Sequence, residues 1–319
     1  MWDMLGKIDC GENVQDIIET DRCKVMKLQD DSGEGMMTLY QVFPGAYLMY
    51  NDFHMKECVS YFRSHAELFC IDHCREGRIE LETGNDACYY LKAGDLRVDR
   101  RIHHAGKVSF PLNHYHGISI GFDVSVARKE LPNQLPGFSV KLDSLVEKYG
   151  SDSTPYVISD EPATQHIFSE LYNVPSQIKN EYFRIKVLEL LLFLDALELS
   201  RHKEERPYFY KGQVEKIKAI HALVTDDLTK NYTAEELADR FDIGLTPLKT
   251  CFKNVYGSPI FSYMRTYRMN TAATLLKTRR DLKITDIAGM VGYDSPSKFA
   301  SAFKQEMGKT PLAYRKDFV

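Results

Sequence analysis

One pattern occurs twice in the last third of the chain, and it restricts the fold more than any other feature. Phe252, Lys253, Gly257 and Tyr263 return about fifty residues later as Phe303, Lys304, Gly308 and Tyr314, and Leu237–Ala238 returns as Ile287–Ala288. In the second copy Ile284, Ile287, Ala288 and Val291 fall on one helical face. Gly292 supplies a turn, and Ser295 and Pro296 are a cap and a first-turn residue for the next helix, whose buried stripe is Phe299, Ala302, Phe303 and Met307. In the first copy Thr233 and Glu236 form a capping box. Leu237, Ala238 and Phe241 face inward, Asp242 to Gly244 turn the chain, and Leu248, Cys251, Phe252 and Val255 line the helix that runs to about Tyr256. Each copy alone reads equally well as an ordinary helical hairpin. Two copies in tandem point to a pair of helix–turn–helix units, a motif that lays its second helix in the DNA major groove.

Ile260 to Thr278 reads as one connecting helix, on the order of 27 Å long at 1.5 Å per residue. That is near the ~34 Å of one DNA turn, so the connector can hold both reading helices against successive major-groove faces. Charge is distributed accordingly. From Arg206 onward there are 19 Lys and Arg against 12 Asp and Glu, a net of +7, and the remainder carries a net of −11. Nucleic-acid binding confined to the C-terminal end fits this asymmetry; surface lysines that only keep the domain dispersed are the plain alternative.

Residues 213–316 resemble the DNA-binding domain of the AraC/XylS family. The resemblance rests on Ala234 to Gly257, Arg268, Ala272, Leu275–Leu276, Ile284–Ala288, Val291–Gly292–Tyr293, Ser297, Phe299, Phe303–Lys304, Gly308, Pro311 and Tyr314–Arg315. It implies a transcription regulator in which Thr246, Lys249, Thr250 and Lys253 of the first reading helix, and Ser297, Lys298, Ser301 and Lys304 of the second, face a double-stranded DNA operator. Early positions would read bases and the later lysines would lie near the backbone. Three departures are visible. Gly244 stands where a small hydroxyl cap is usual, Thr246 and Thr250 stand where larger base-reading side chains occur, and Ser301 where an Arg can occur.

Upstream the pattern is different. Residues 1–35 are polar and mixed, with one short helix expected near Val14 to Ile18. From Met36 about seven strands rich in β-branched and aromatic residues follow one another, broken by Gly, Pro and Asp. They predict a β-sandwich or small barrel, similar to the cupin-like ligand domain of AraC relatives. Helices take over from Val126, at Ser139 to Tyr149, Ala163 to Leu171 and Glu181 to Ser200. In the last, Phe183, Val187, Leu190, Leu194 and Leu197 repeat at four-three spacing, the seam of a coiled coil. Leu188, Leu191 and Leu192 form a second apolar face. One face is expected on the barrel and the other on a second subunit, with burial inside a single domain as the alternative. Residues 201–212, with Pro207 and Gly212, read as a linker.

The expected architecture is therefore α+β: residues 1–200 a cupin-like β-barrel or sandwich with helices, for sensing and dimerisation, and residues 213–319 an all-α domain with two helix–turn–helix units. His103, His104, His114 and His116 are candidates to line a small-molecule effector site. A His-x-His strand also suits a metal, but the acidic ligand expected soon after His116 is missing, so no metal and no cofactor is assigned. Plain structural histidines remain the competitor. Cys70 and Cys74 flank His73 with ligand-type chemistry but do not complete a tetrahedral site. Seven cysteines without a secretion signal read as free thiols. No phosphate loop and no Ser/His/Asp order is present, so catalysis is not expected; a metal-dependent cupin enzyme or a metal or redox sensor fused to a DNA-binding domain is the alternative. Without a long apolar run the chain is expected in the cytoplasm, with no membrane contact. The expected partners are an operator, an effector, a second copy of the chain, and RNA polymerase if the protein is an activator.

Overall fold

Two units divide the chain, Met1–Tyr208 and Phe209–Val319. The computed structural model describes residues 8–9, 14–20, 23–83, 86–150, 155–159, 161–199 and 208–317, with side chains at all of these except 8, 9, 60–65, 83 and 102–106.

The N-terminal unit contains β1 (Ile8–Asp9), β2 (Val14–Glu19), β3 (Cys23–Asp30), β4 (Gly33–Phe43), β5 (Ala46–Met55), β6 (Glu57–Thr83), β7 (Ala87–Lys92), β8 (Leu96–Ser109) and β9 (Tyr115–Asp123). Helices α1 (Val124–Glu130) and α2 (Leu142–Gly150) follow, then β10 (Tyr156–Ile158), α3 (Pro162–Leu171) and α4 (Lys179–Ala196). The main sheet path is β10-β8-β6-β9-β5-β4-β3-β2, with β1 and β7 pairing to β6. The path ends at β10 and β2 rather than closing, so the expected barrel or sandwich is an open sheet curled around its own interior. Val14 to Ile18, expected as a helix, is strand β2, where Val14 pairs with Leu28 and Ile18 with Val25 of β3 and the register shifts between Asp16 and Ile18. Two predicted strands merge into the 27-residue β6, which passes through Gly77 at φ 84°. One predicted strand splits at Gly94, φ 87°, into β7 and β8.

Both faces of the sheet are buried along much of its length. On β5, Ala46 and Leu48 pack under the helices together with Phe122, Phe168, Phe183 and Leu190. The alternate residues Tyr47, Met49, Asn51 and Phe53 face the enclosed interior. Period-two alternation sends neighbours to opposite faces, so the strand carries two different apolar surfaces. Asp123 begins α1 by accepting from the backbone N–H groups of Ser125 at 3.0 Å and Val126 at 3.4 Å.

The C-terminal unit holds α5 (Lys211–Asp226), α6 (Ala234–Arg240), α7 (Leu245–Tyr256), α8 (Ile260–Thr278), α9 (Ile284–Met290), α10 (Pro296–Met307) and α11 (Pro311–Lys316). The expected linker falls at this division: 201–207 lie outside the described residues, and α5 starts at Lys211, two residues ahead of Gln213.

Candidate nucleic-acid interface and ligand cavity

Each half of the tandem is set by local capping chemistry. At α6 the Glu236 N–H donates to Thr233 Oγ1 at 3.1 Å, and the Thr233 N–H donates to the Glu236 carboxylate at 2.7 Å. At α10 Ser295 Oγ accepts from the Lys298 N–H at 3.4 Å, with Pro296 in the first turn. The turn inside the first unit passes through Asp242 at φ 46°, and that inside the second through Gly292 at φ 81°. Both second helices stop at a left-handed glycine, Gly257 at φ 87° and Gly308 at φ 76°. Leu248, Cys251, Phe252 and Val255 bury one side of α7, and Phe299 and Phe303 bury one side of α10. The opposite sides carry Thr246, Lys249, Thr250 and Lys253, and Ser297, Lys298, Ser301 and Lys304; all eight are exposed. Helix α8 spans about 27 Å and serves both units. Its Thr266 Oγ1 donates to Glu306 of α10 at 2.5 Å, its Arg265 bonds Gln305, and its Arg268 donates to the Lys230 carbonyl at 3.0 Å.

In the N-terminal unit the curled sheet wraps around a partly open cavity of about 260 Å³. Its walls are mostly apolar, with Met26, Leu39, Met49, Phe53, Leu81 and Phe110 among them. At one side lies a buried charge quartet. Arg101 reaches Asp72 at 2.5 Å and Asp99 at 2.9 Å, and Arg97 bonds Asp99 and stands 4.0 Å from Asp72. Burial alone would raise the Asp72 carboxyl, but Arg101 and Arg97 outweigh it and hold it down at about 2. Two positive and two negative groups thus cancel at the cavity wall. The sequence reading missed this quartet. Its signal is Arg97, Asp99 and Arg101 at alternate positions of β8, while Leu96 and Val98 point to the helices; a strand apolar on one side and charged on the other looks half-solvated.

The predicted effector histidines do not line this cavity where their side chains are described. His114 and His116 flank Tyr115, which points inward, so alternation turns both away. His114 Nδ1 lies 3.0 Å from the Leu112 carbonyl, and His116 stands at the outer surface beside Asp52. His103 and His104 lie on β8, with side chains outside the described set. His73 is structural: its ring stacks on Phe168 at 4.2 Å, and burial lowers it to about 4. Cys70 faces the cavity and Cys74 is buried near the carbonyls of Glu76 and Gly77. Burial pushes both thiols up to about 12, which keeps them protonated and poorly nucleophilic.

A helix-turn-helix family model matches residues 237–317, from the first helix of the first unit to the end of α11. The HTH-type transcriptional regulator AlkR of Acinetobacter baylyi is 35% identical over 97 residues, 30% of this chain and 30% of AlkR. The HTH-type transcriptional activator RhaR of Yersinia pseudotuberculosis is 26% identical over 142 residues, 44% of this chain and 49% of RhaR. Residues 237–317 form an AraC-type helix–turn–helix domain. The matched stretch spans half or less of these relatives' own length. Among solved structures, the C-terminal domain of the response regulator yesN from Fusobacterium nucleatum is 30% identical; the match covers 31% of this chain and 95% of that one, with a TM-score of 0.29.

Within the AraC-type domain, the two reading helices differ at their starts. Gly244 caps α7 without a side-chain bond, where Ser295 caps α10. Outside it, the predicted dimer seam is corrected. Phe183, Val187, Leu190 and Leu194 are at most 1% exposed, and Leu197 follows the end of α4 at 9%. All five belong to the unit's own core with β-sheet residues such as Leu48 and Phe122. A four-three repeat marks a face that needs a partner, and here the partner is the sheet of the same chain. What α4 leaves exposed is another pair, Ile185 and Leu192, at 60% and 46% and seven apart on one helical face, with Ile178, just before the helix, at 46%.

Proposed function

We propose that the protein is a sequence-specific DNA-binding transcription regulator whose N-terminal unit takes a small-molecule effector in the cavity of its curled sheet. The observation that carries the reading is the matched placement of two exposed four-residue sets on α7 and α10, in an AraC-type domain with a net charge of +7 from Arg206 onward. Lysines on the reading helices would neutralise phosphates, and Thr246, Thr250, Ser297 and Ser301 would contact bases or phosphates. The test is affinity selection of genomic fragments by the full chain, followed by titration of a retained fragment across salt concentrations. Log affinity should fall against log salt with a slope of about −0.9 per phosphate neutralised, and Lys253→Ala or Lys304→Ala should reduce that slope by about one. A flat response, or no retained fragment, refutes the reading.

The cavity supports a class of effector. Its walls are apolar and its charge quartet is internally balanced, so an anion would meet no net positive charge. A neutral, largely apolar molecule with one hydrogen-bonding end fits best. A 150 Å³ cavity holds benzene, so this one suits about ten non-hydrogen atoms. Dimerisation belongs to the same proposal, through the exposed Ile185 and Leu192 pair, because joining two AraC-type domains makes the second DNA contact intramolecular. Contact with RNA polymerase follows where the protein activates. The effector acts by preferring one arrangement of the dimer over another.

A further inference from the structure

We propose that Asp52, His54 and His116 form a binding site for a divalent transition-metal ion such as zinc, on the outer surface of strands β5 and β9. Asp52 and His116 are direct cross-strand partners, and His54 is two residues further along β5 on the same face. Their donor atoms converge. His116 Nε2 and His54 Nε2 lie 2.8 and 2.9 Å from the same Asp52 carboxylate oxygen, and 3.4 Å from each other. Two nitrogens bound to one tetrahedral zinc at ordinary bond lengths stand about 3.3 Å apart. The imidazole pair therefore already has the bite of a metal site, and the carboxylate needs to withdraw only about half an ångström. Two imidazoles and one carboxylate suit zinc and its first-row neighbours, not magnesium or calcium.

The surroundings favour a cation. Glu76 Oε2 lies 3.6 Å from His116 Nδ1. Glu76 also faces Arg75 at 3.4 Å, and it places a carboxylate behind the His116 ring, where outer partners of metal-bound histidines stand. Glu34 is opposite His54 on β4, although Lys27 also holds it at 2.7 Å. The site's neighbours give it a consequence. Asn51, Phe53 and Tyr115, each adjacent in sequence to a ligand, line the cavity on the other face of the same strands. A bound ion would clamp β5 to β9 at the cavity wall. This inference is independent of the DNA-binding reading.

The test is equilibrium dialysis of the untagged full chain against zinc with millimolar magnesium present, with thermal unfolding alongside. One zinc per chain and a raised melting temperature are expected, since an ion that binds only the folded state stabilises it. His116→Ala and Asp52→Asn should each weaken binding by about tenfold or more, the least expected when even an outer partner of a metal ligand costs that much. His166→Ala, on the exposed surface of α3, should change nothing. Unfolding in chelator checks that each variant is folded, and the nearly isosteric Asp52→Asn serves if His116→Ala is not. No zinc bound at micromolar concentration, or equal binding by the folded variants, overturns the proposal.

Discussion

Gly292 and Gly308 have nearly the same backbone, φ 81° and 76°, in very different surroundings. A Cβ on Gly308 would meet nothing within 4 Å, whereas one on Gly292 would lie 2.1 Å from the Leu228 carbonyl oxygen and 3.3 Å from the Arg268 guanidinium carbon. Replacing each by Ala separates two effects that are usually merged. Gly308→Ala introduces only the left-handed strain of an L-residue, about 1 kcal/mol. Gly292→Ala adds a collision with backbone, which cannot rotate aside. The turn must move by about an ångström against the segment after α5, and overpacking of that kind costs about 1–3 kcal/mol. Gly292→Ala should therefore destabilise the C-terminal unit by about 2–4 kcal/mol in total. Urea unfolding of the full chain, followed by far-UV circular dichroism through the transition of the helical unit, measures both. Equal losses in the two variants, or a smaller loss at Gly292, would show that the close approach to Leu228 is not what fixes glycine there.

Two further outcomes follow from the same packing. His221 stacks on Tyr256 at 4.2 Å with Nε2 2.9 Å from the Tyr263 hydroxyl, and burial lowers it to about 4. The unfolded chain takes up the proton first, so stability is full above pH ~6.5 and is lost as pH falls toward 4, by roughly 1–2 kcal/mol after discounting partial solvent access. His221→Phe should flatten that slope in urea unfolding at pH 7, 5.5 and 4.5; the comparison with wild type isolates it from His73, which acts in the same sense in the other unit. Ile185→Glu with Leu192→Glu should turn a wild-type dimer into a folded monomer in sedimentation at micromolar concentration, and a double variant that stays dimeric would remove the exposed pair of α4 from the interface.

The AraC-type domain was legible in the sequence because its determinants are local. Capping pairs such as Thr233–Glu236, left-handed glycines and a 3.6-residue period lie within a few positions of one another, and α8 runs over Ile260–Thr278 as the periodicity predicts. The N-terminal unit was less legible because its sheet is buried on both faces. On β5 the cavity-facing Tyr47 and Met49 alternate with the helix-facing Ala46 and Leu48, so no hydrophobic alternation says which side is which. That choice decides whether His116 faces a ligand or solvent. The acidic residue beside His116 does not follow it along the chain: Asp52 lies 64 positions earlier and arrives by strand pairing. The repeat in α4, expected to face a second subunit, packs on the sheet of the same chain, because periodicity marks a face in need of cover and does not say whose surface covers it.

Helix α8 belongs to two cores at once. Its first turns, with Ile260 and Met264, are buried beside the first reading unit, and Met269, Ala272, Ala273 and Leu276 pack with Ile287, Phe299 and Phe303 of the second. It therefore acts as a ruler with a fixed phase as well as a fixed length. Inserting one residue between those two sets would advance the second reading unit by only 1.5 Å but rotate it by about 100° relative to the first. On the proposed DNA-binding reading, a substitution on either exposed helix face would alter one contact, whereas a change in the number of residues between the two sets would rotate one whole unit away from its half of the site.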